Sequence, residues 1–190
     1  MIELQHALPE PTELRAYRGR HPGGSWETST FDAVRPMLRR QLNLEQQGLC
    51  VYCESLLAVE DGHIEHIKSR GQHPQLTFAY ANLAHSCSQP DHCGHQKQDQ
   101  VLPVEPRPGC NRYFALSALD GRLAPALRLT EAEAQQADDT VCILGLNVPA
   151  LAWQRKGYAV TIRALTDPAD VTAFMATRPF RWSLRGLIDD

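Results

Sequence analysis

The chain has 190 residues, 43% of them hydrophobic and 22% charged, with a formal net charge of −3. These are ordinary globular values for one core with an appendage, and no apolar run approaches the roughly 20 residues that span a membrane. A balance this close to neutral excludes a protein that grips nucleic acid by bulk electrostatics, because neutralising phosphates takes clustered Lys and Arg.

The first residues, MIELQHALPEP, carry neither a basic n-region nor an apolar h-region, which predicts a cytoplasmic protein. Residues 1–28 are rich in Pro, Gly and Arg and predict an extended arm with one short helical turn around Pro11 to Tyr17, its Arg15, Arg18 and Arg20 solvated. STFDAVRPMLRRQLNLEQQGL predicts a helix capped by Ser29 or Thr30 and kinked or restarted at Pro36. Leu38 and Leu42 give it a buried edge, Arg35, Arg39 and Arg40 a basic flank, and Gly48 an end. Cys50 to Leu57 suits a tight turn, Ile64 and Ile67 a strand, Gly71 and Pro74 a loop, and Asn82 to Cys87 a second strand. A short helix follows from about Gly94 to Gln100.

Beyond that point Asp120-Gly121 predicts a hairpin joining Tyr113 to Leu116 with Arg122 to Pro125. Thr130 with Glu133 is a capping-box pair, and another helix should begin near Asn147 with Pro149 in its first turn and Leu151 and Arg155 on one edge. A last helix is expected over Pro168 to Thr177, before the arginine and aromatic tail RPFRWSLRG, read as a core edge or protein interface. The expected fold class is α+β. A ββα-metal core over 50–102 would sit between an N-terminal arm and helix (1–49) and a hairpin with a mostly helical C-terminal region (103–190).

Four of the six cysteines, Cys50, Cys53, Cys87 and Cys93, have the pattern of a metal clip, which in a reducing compartment is commoner than paired disulfides. Four thiolates close the shell of a Zn²⁺ ion, making it structural, and such a site contributes folding free energy on the order of 10 kcal/mol. The wide Cys87 to Cys93 spacing leaves His85 or His92 as an alternative ligand. Cys110 and Cys142 fall outside the pattern.

A second set, Glu65, His66, Asn82 and His95, is interleaved with the cysteines. Phosphodiester hydrolysis needs a base to deprotonate water and a cation to stabilise developing charge. His66 suits the first task, since imidazole titrates near working pH. Glu65 and His95 suit the second, and a carboxylate with an imidazole fits Mg²⁺ or Mn²⁺. Asp99, at i+4 from His95, is a further candidate ligand, and Lys68, Arg70 and Lys97 are candidate phosphate contacts. His63 and His73 read as ordinary, although His63, two residues from Glu65 on the same strand face, is placed to assist the metal.

Glu65-His66, Asn82 and His95, framed by two cysteine pairs, resemble the HNH (His-Me finger) endonucleases. The phrases GLCVYCE, IEHIKSRGQHPQLTFAYANLAHSC, CGHQK and LGLNVPALAWQRKG are similar to the HNH effector of retron and Septu anti-phage systems, the PtuB-like branch. The resemblance implies His66 as general base, Glu65 as metal-side acid, Asn82 as the brace that orients His66, and His95 as metal ligand. It also implies a DNA substrate, an ATPase partner (PtuA-like) and, in retrons, a reverse transcriptase with its reverse-transcribed DNA. Many HNH enzymes carry Asn or His where this chain has Gly94. That departure favours an alternative, a catalytically degenerate zinc module that docks partners or nucleic acid; a tRNA- or RNA-cleaving toxin using the same residues is another.

Overall fold

The structure, a computed structural model, describes residues 1–188 and is α+β, with two small antiparallel hairpins among helices. Helix α1 runs Thr12–Arg20, longer than the single turn expected, because Leu14 and Tyr17 at i, i+3 bury against Phe31 and Phe78. The expected kink at Pro36 is a break between two helices, α2 over Ser29–Asp32 and α3 over Arg35–Glu45. Thr28, one residue ahead of the expected caps, accepts the Phe31 amide and starts α2. Leu38 and Leu42 are fully buried on α3, and the chain leaves the helix through Gly48, whose positive φ lets its amide return to the Asn43 carbonyl.

Strand β1 (His63–His66) pairs antiparallel with β2 (Leu83–Ser86), and the short helix α4 (Cys93–Lys97) follows. The helix stops short of Gln100 because Gln98 adopts a φ of 50°. The turn at 50–54 lies beside β2, its Val51 amide donating to the His85 carbonyl at 3.0 Å, and α3 packs on the same strand. Leu14, Tyr17, Trp26, Phe31, Leu38 and Leu83 form one apolar cluster, on the side of the hairpin away from the cysteines.

The second hairpin is β3 (Phe114–Leu116) with β4 (Leu123–Pro125). Its loop is longer than the two-residue turn that Asp-Gly suggests, since the last ladder bond joins the Ser117 amide to the Arg122 carbonyl. Helix α5 (Glu131–Ile143) begins with the full capping box, Thr130 bonded to the Glu133 amide and Glu133 to the Thr130 amide. Helix α6 (Pro149–Ala164) starts two residues later than expected because Asn147 is used elsewhere. Its side-chain amide bonds both the Leu123 amide and carbonyl at 2.8 Å, occupying the free edge of β4 as a strand would. Helices α7 (Pro168–Ala176) and α8 (Arg181–Arg185) complete the described chain.

The main core joins Leu49, Val51, Tyr52, Leu144, Leu151, Ile162, Phe180 and Leu184, so the aromatic tail is a core edge. Two buried ions hold this junction. Glu54 accepts from the Met1 ammonium at 3.0 Å, from the Trp182 and Ser183 amides and from the Ser183 hydroxyl. Arg155, 1% exposed, donates to the Leu146 carbonyl at 2.7 Å and lies over the Phe180 ring. Among the described residues no helix is long and apolar enough to cross a membrane.

Leu38→Ala leaves a cavity in a packed cluster and lowers unfolding free energy by about 3 kcal/mol, whereas Thr130→Ala removes one cap and costs about 1 kcal/mol. Urea unfolding of both variants checks the order; equal losses would contradict the burial that separates them.

Candidate metal and phosphodiester-cleavage site

The four cysteines of the clip converge. The tight turn brings Cys50 and Cys53, the end of β2 brings Cys87, and the first residue of α4 brings Cys93, all buried with sulfurs within 4.8 Å of one another. The Cys50–Cys93 and Cys53–Cys87 sulfur distances are 3.7 and 4.0 Å. Thiolates bound to zinc at about 2.3 Å stand about 3.8 Å apart in a tetrahedron. The Cys87 amide donates to the Cys50 sulfur at 3.3 Å. Burial opposes charge on Cys50, yet hydrogen bonds from Cys53, Cys87 and Cys93 hold its thiol well below the ordinary range. Burial and the same neighbours push Cys93 well above it. A thiol held low against others pushed high is the conflict that a divalent cation resolves.

Neither histidine replaces a sulfur. The His85 ring accepts from the Asn43 amide at Nδ1 and donates from Nε2 to the Asp61 carbonyl at 2.7 Å, leaving no free nitrogen. His92 binds Asp91 at 2.8 Å and lies beside Cys53; burial works against its protonation, but those two partners raise its pKa.

Next to this clip, β1 presents Glu65 and His66 on opposite faces, as successive strand residues must. Glu65 is buried toward α4: Oε1 accepts from the Tyr52 hydroxyl at 3.1 Å and pairs with Lys97 at 2.9 Å, while Oε2 faces His63 Nε2 at 3.2 Å. Burial opposes its ionisation, but His63 and Lys97 hold the carboxyl below its usual value. Burial and the Glu65 charge push the Tyr52 phenol well above its own, so it stays a donor.

His66, 8% exposed, sits under the edge of Trp26 with ring centroids 4.4 Å apart. Its Nε2 donates to the Thr77 carbonyl at 2.9 Å, which leaves the Nδ1 lone pair free. Burial lowers its pKa to about 4, so the ring is neutral at pH 7. Asn82 makes no bond to His66. It binds the Lys68 amide and carbonyl at 2.9 Å each and the Leu76 carbonyl at 3.4 Å, bracing the loop that carries Thr77.

No family model matches the chain. A curated relative from Vibrio cholerae serotype O1 biovar El Tor, named "Retron Vc95 putative HNH endonuclease", is 37% identical over 169 residues, covering 82% of this chain and 81% of the relative. The chain belongs to the retron HNH endonucleases.

Within this family frame the structure redistributes several candidates. His95 is exposed on α4 and stacks on His63 with centroids 4.9 Å apart, so its neighbour in the structure is the histidine that the sequence places on the strand face of Glu65 without making it a site residue. Alternation along β1, which places 63 and 65 on one face, was the available signal. The cysteine quartet is the one cluster among the described residues with three or more Cys, His, Asp or Glu donors inside 4.8 Å, and His95 stands outside that spacing from the His63–Glu65 pair. Asp99 does not join them: α4 ends at Lys97, the i+4 relation to His95 is lost, and Asp99 lies beside Gly71 and Gln72.

Lys97 is not a free phosphate contact. It is 1% exposed, with its ammonium spent on Glu65 and on the His66 and Gln98 carbonyls. Lys68 and Arg70 remain partly exposed, the first 3.5 Å from Glu105 and the second 3.0 Å from Glu27 and over the Trp26 ring that covers His66. Gly94 is no neutral gap. A methyl placed on it would stand 2.6 Å from Glu65 Oε2 and 2.7 Å from His63 Nε2, so only glycine fits.

Elemental analysis should find one zinc per chain, retained by His85→Ala and lost with the fold in Cys50→Ser; zinc retained in the serine variant would contradict the quartet. In the zinc-loaded protein without other divalent ions, NMR titration of His66 should give a midpoint near 4. Because the folded value lies below the unfolded 6.5, the stability that His66 contributes is complete above pH 6.5 and is lost as pH falls toward 4. A midpoint at 6 or above would show that the ring is not shielded.

Proposed function

We propose that this chain is a metal-dependent HNH endonuclease, its ββα hairpin and helix pinned by a structural zinc, that cuts DNA as the toxic effector of a retron defence complex. The observation that carries the reading is His66: a neutral imidazole, tied through Nε2 to a backbone carbonyl with no Nδ1 partner among the described residues, and next along β1 to a buried ionised glutamate on the opposite face. That is the state a general base needs at neutral pH.

In the reaction His66 Nδ1 takes a proton from water as the oxygen attacks phosphorus, the bond to the 3′ oxygen breaks, and that oxygen takes a proton from solvent water, leaving 5′-phosphate and 3′-hydroxyl ends. A Mg²⁺ or Mn²⁺ ion held by Glu65 and His95 would stabilise negative charge on the phosphoryl oxygens and the leaving group. Asn82 positions Thr77 and thereby the His66 ring. Tyr52 and Lys97 fix the Glu65 carboxylate in its ionised form. Arg70 and Lys68 meet the DNA backbone when they leave their carboxylate partners.

The net charge of −3 gives the chain little DNA affinity of its own, which suits an effector carried by an ATPase partner (PtuA-like) and a retron reverse transcriptase with its reverse-transcribed DNA. Trp26 over His66 and Glu27 on Arg70 suit a protein kept quiet until released. A degenerate module is the weaker reading, since it gives no reason for Gly94 to approach Glu65 so closely.

His66→Ala, assayed with supercoiled DNA and Mn²⁺ in the partner-bound protein, should lose about a hundredfold or more in cleavage rate while zinc content and circular dichroism stay unchanged. Equal activity would overturn the assignment, and cleavage of tRNA in place of DNA would move the substrate to RNA.

A further inference from the structure

The Glu65 carboxylate is already divided between two tasks. Oε1 is committed to Tyr52 and Lys97, so Oε2 alone is available to a cation, and the group it faces is His63 Nε2 at 3.2 Å. The other nitrogen of His63 lies 3.4 Å from the Ser88 hydroxyl, which can take the Nδ1 proton and leave Nε2 as a lone pair. Two donors cis to one another about an ion bound at about 2.1–2.2 Å stand about 3 Å apart. The third wall is Gly94, where an added methyl would fall 2.6 and 2.7 Å from these same two atoms. Glycine at 94 therefore lets the two donors keep this close approach to the helix, where any side chain would push them apart.

We propose that His63 is a ligand of the catalytic ion, forming with Glu65 Oε2 a cradle floored by Gly94, with exposed His95 lining its open side. This rests on the nuclease reading above and assigns that site a donor which the HNH resemblance did not supply. It also names the class of ion. An imidazole beside one carboxylate oxygen, with a second imidazole near the open side, favours borderline first-row ions over Mg²⁺, which prefers oxygen ligands and parts with water reluctantly. Mn²⁺, Co²⁺ or Ni²⁺ is the fitting occupant. Glycine at 94 is then a requirement of the site, since asparagine or histidine there would project its Cβ into the cradle.

The test is Mn²⁺ binding to the zinc-loaded full chain, read as loss of the free-ion electron paramagnetic resonance signal, beside DNA cleavage. The native chain should bind one Mn²⁺ that Mg²⁺ displaces only in large excess. His63→Gln keeps a polar side chain facing Glu65 but removes the imidazole, and should weaken Mn²⁺ binding about tenfold or more. Gly94→Ala removes no donor and should weaken it at least as much, with zinc content unchanged. His66→Ala should bind Mn²⁺ as the native chain does while losing cleavage. Native affinity in His63→Gln, with cleavage of DNA by the native chain intact, would overturn the His63 assignment and leave the nuclease standing. A native chain that neither binds Mn²⁺ nor cuts DNA would remove both.

Discussion

The arrangement depends on four sulfurs meeting at one point. Cys50, Cys53, Cys87 and Cys93 come from a turn, the end of a strand and the start of a helix, and none of those elements could hold its place alone. The hairpin has four residues per strand and α4 has five, lengths at which neither hairpin nor helix is stable in water. A cation bound by the quartet replaces the local stability these pieces lack. Because Glu65 and His66 lie on β1, and Gly94 and His95 on α4, the same point sets the distance between the two halves of the candidate site.

Around that point lie several buried charges, each placed against another. Arg155 sits in the field of Glu54, Cys53 and Cys93, and burial lowers its pKa without removing the charge. A tetrathiolate zinc centre carries formal charge −2, so a guanidinium near its sulfurs offsets part of it. Lys97 offsets Glu65, and Glu54 gathers Met1 with the first amides of α8. A buried charge without a partner is costly, so each pair fixes the relative position of the segments that supply it.

Much of this was legible in the sequence where spacing carries chemistry. The cysteine spacing, the capping box at Thr130, the buried edge of Leu38 and Leu42 and the second hairpin all rest on local rules, and the structure shows them. What could not be read depends on contacts between distant segments. Asp99 was assigned to the face of His95 on helical periodicity, but Gln98 breaks the helix for reasons that lie outside the pentapeptide. Lys97 reads as a surface cation because a lysine near a phosphate site normally is one; that Glu65 claims it is a fact of tertiary packing. Gly94 read as a gap in a motif, since nothing local says that two side chains from β1 press against its α-carbon. Trp26 lies forty residues from His66 in sequence and gave no sign of covering it.

Lys97 ties two successive residues of β1, its ammonium reaching the Glu65 carboxylate and the backbone carbonyl of His66, while Cys93 at the other end of its helix belongs to the sulfur cluster. Helix α4 therefore acts as a short lever with an anchored fulcrum. Any tilt of it displaces Glu65 and His66 together, and neither can drift out of register with the other while the lever holds.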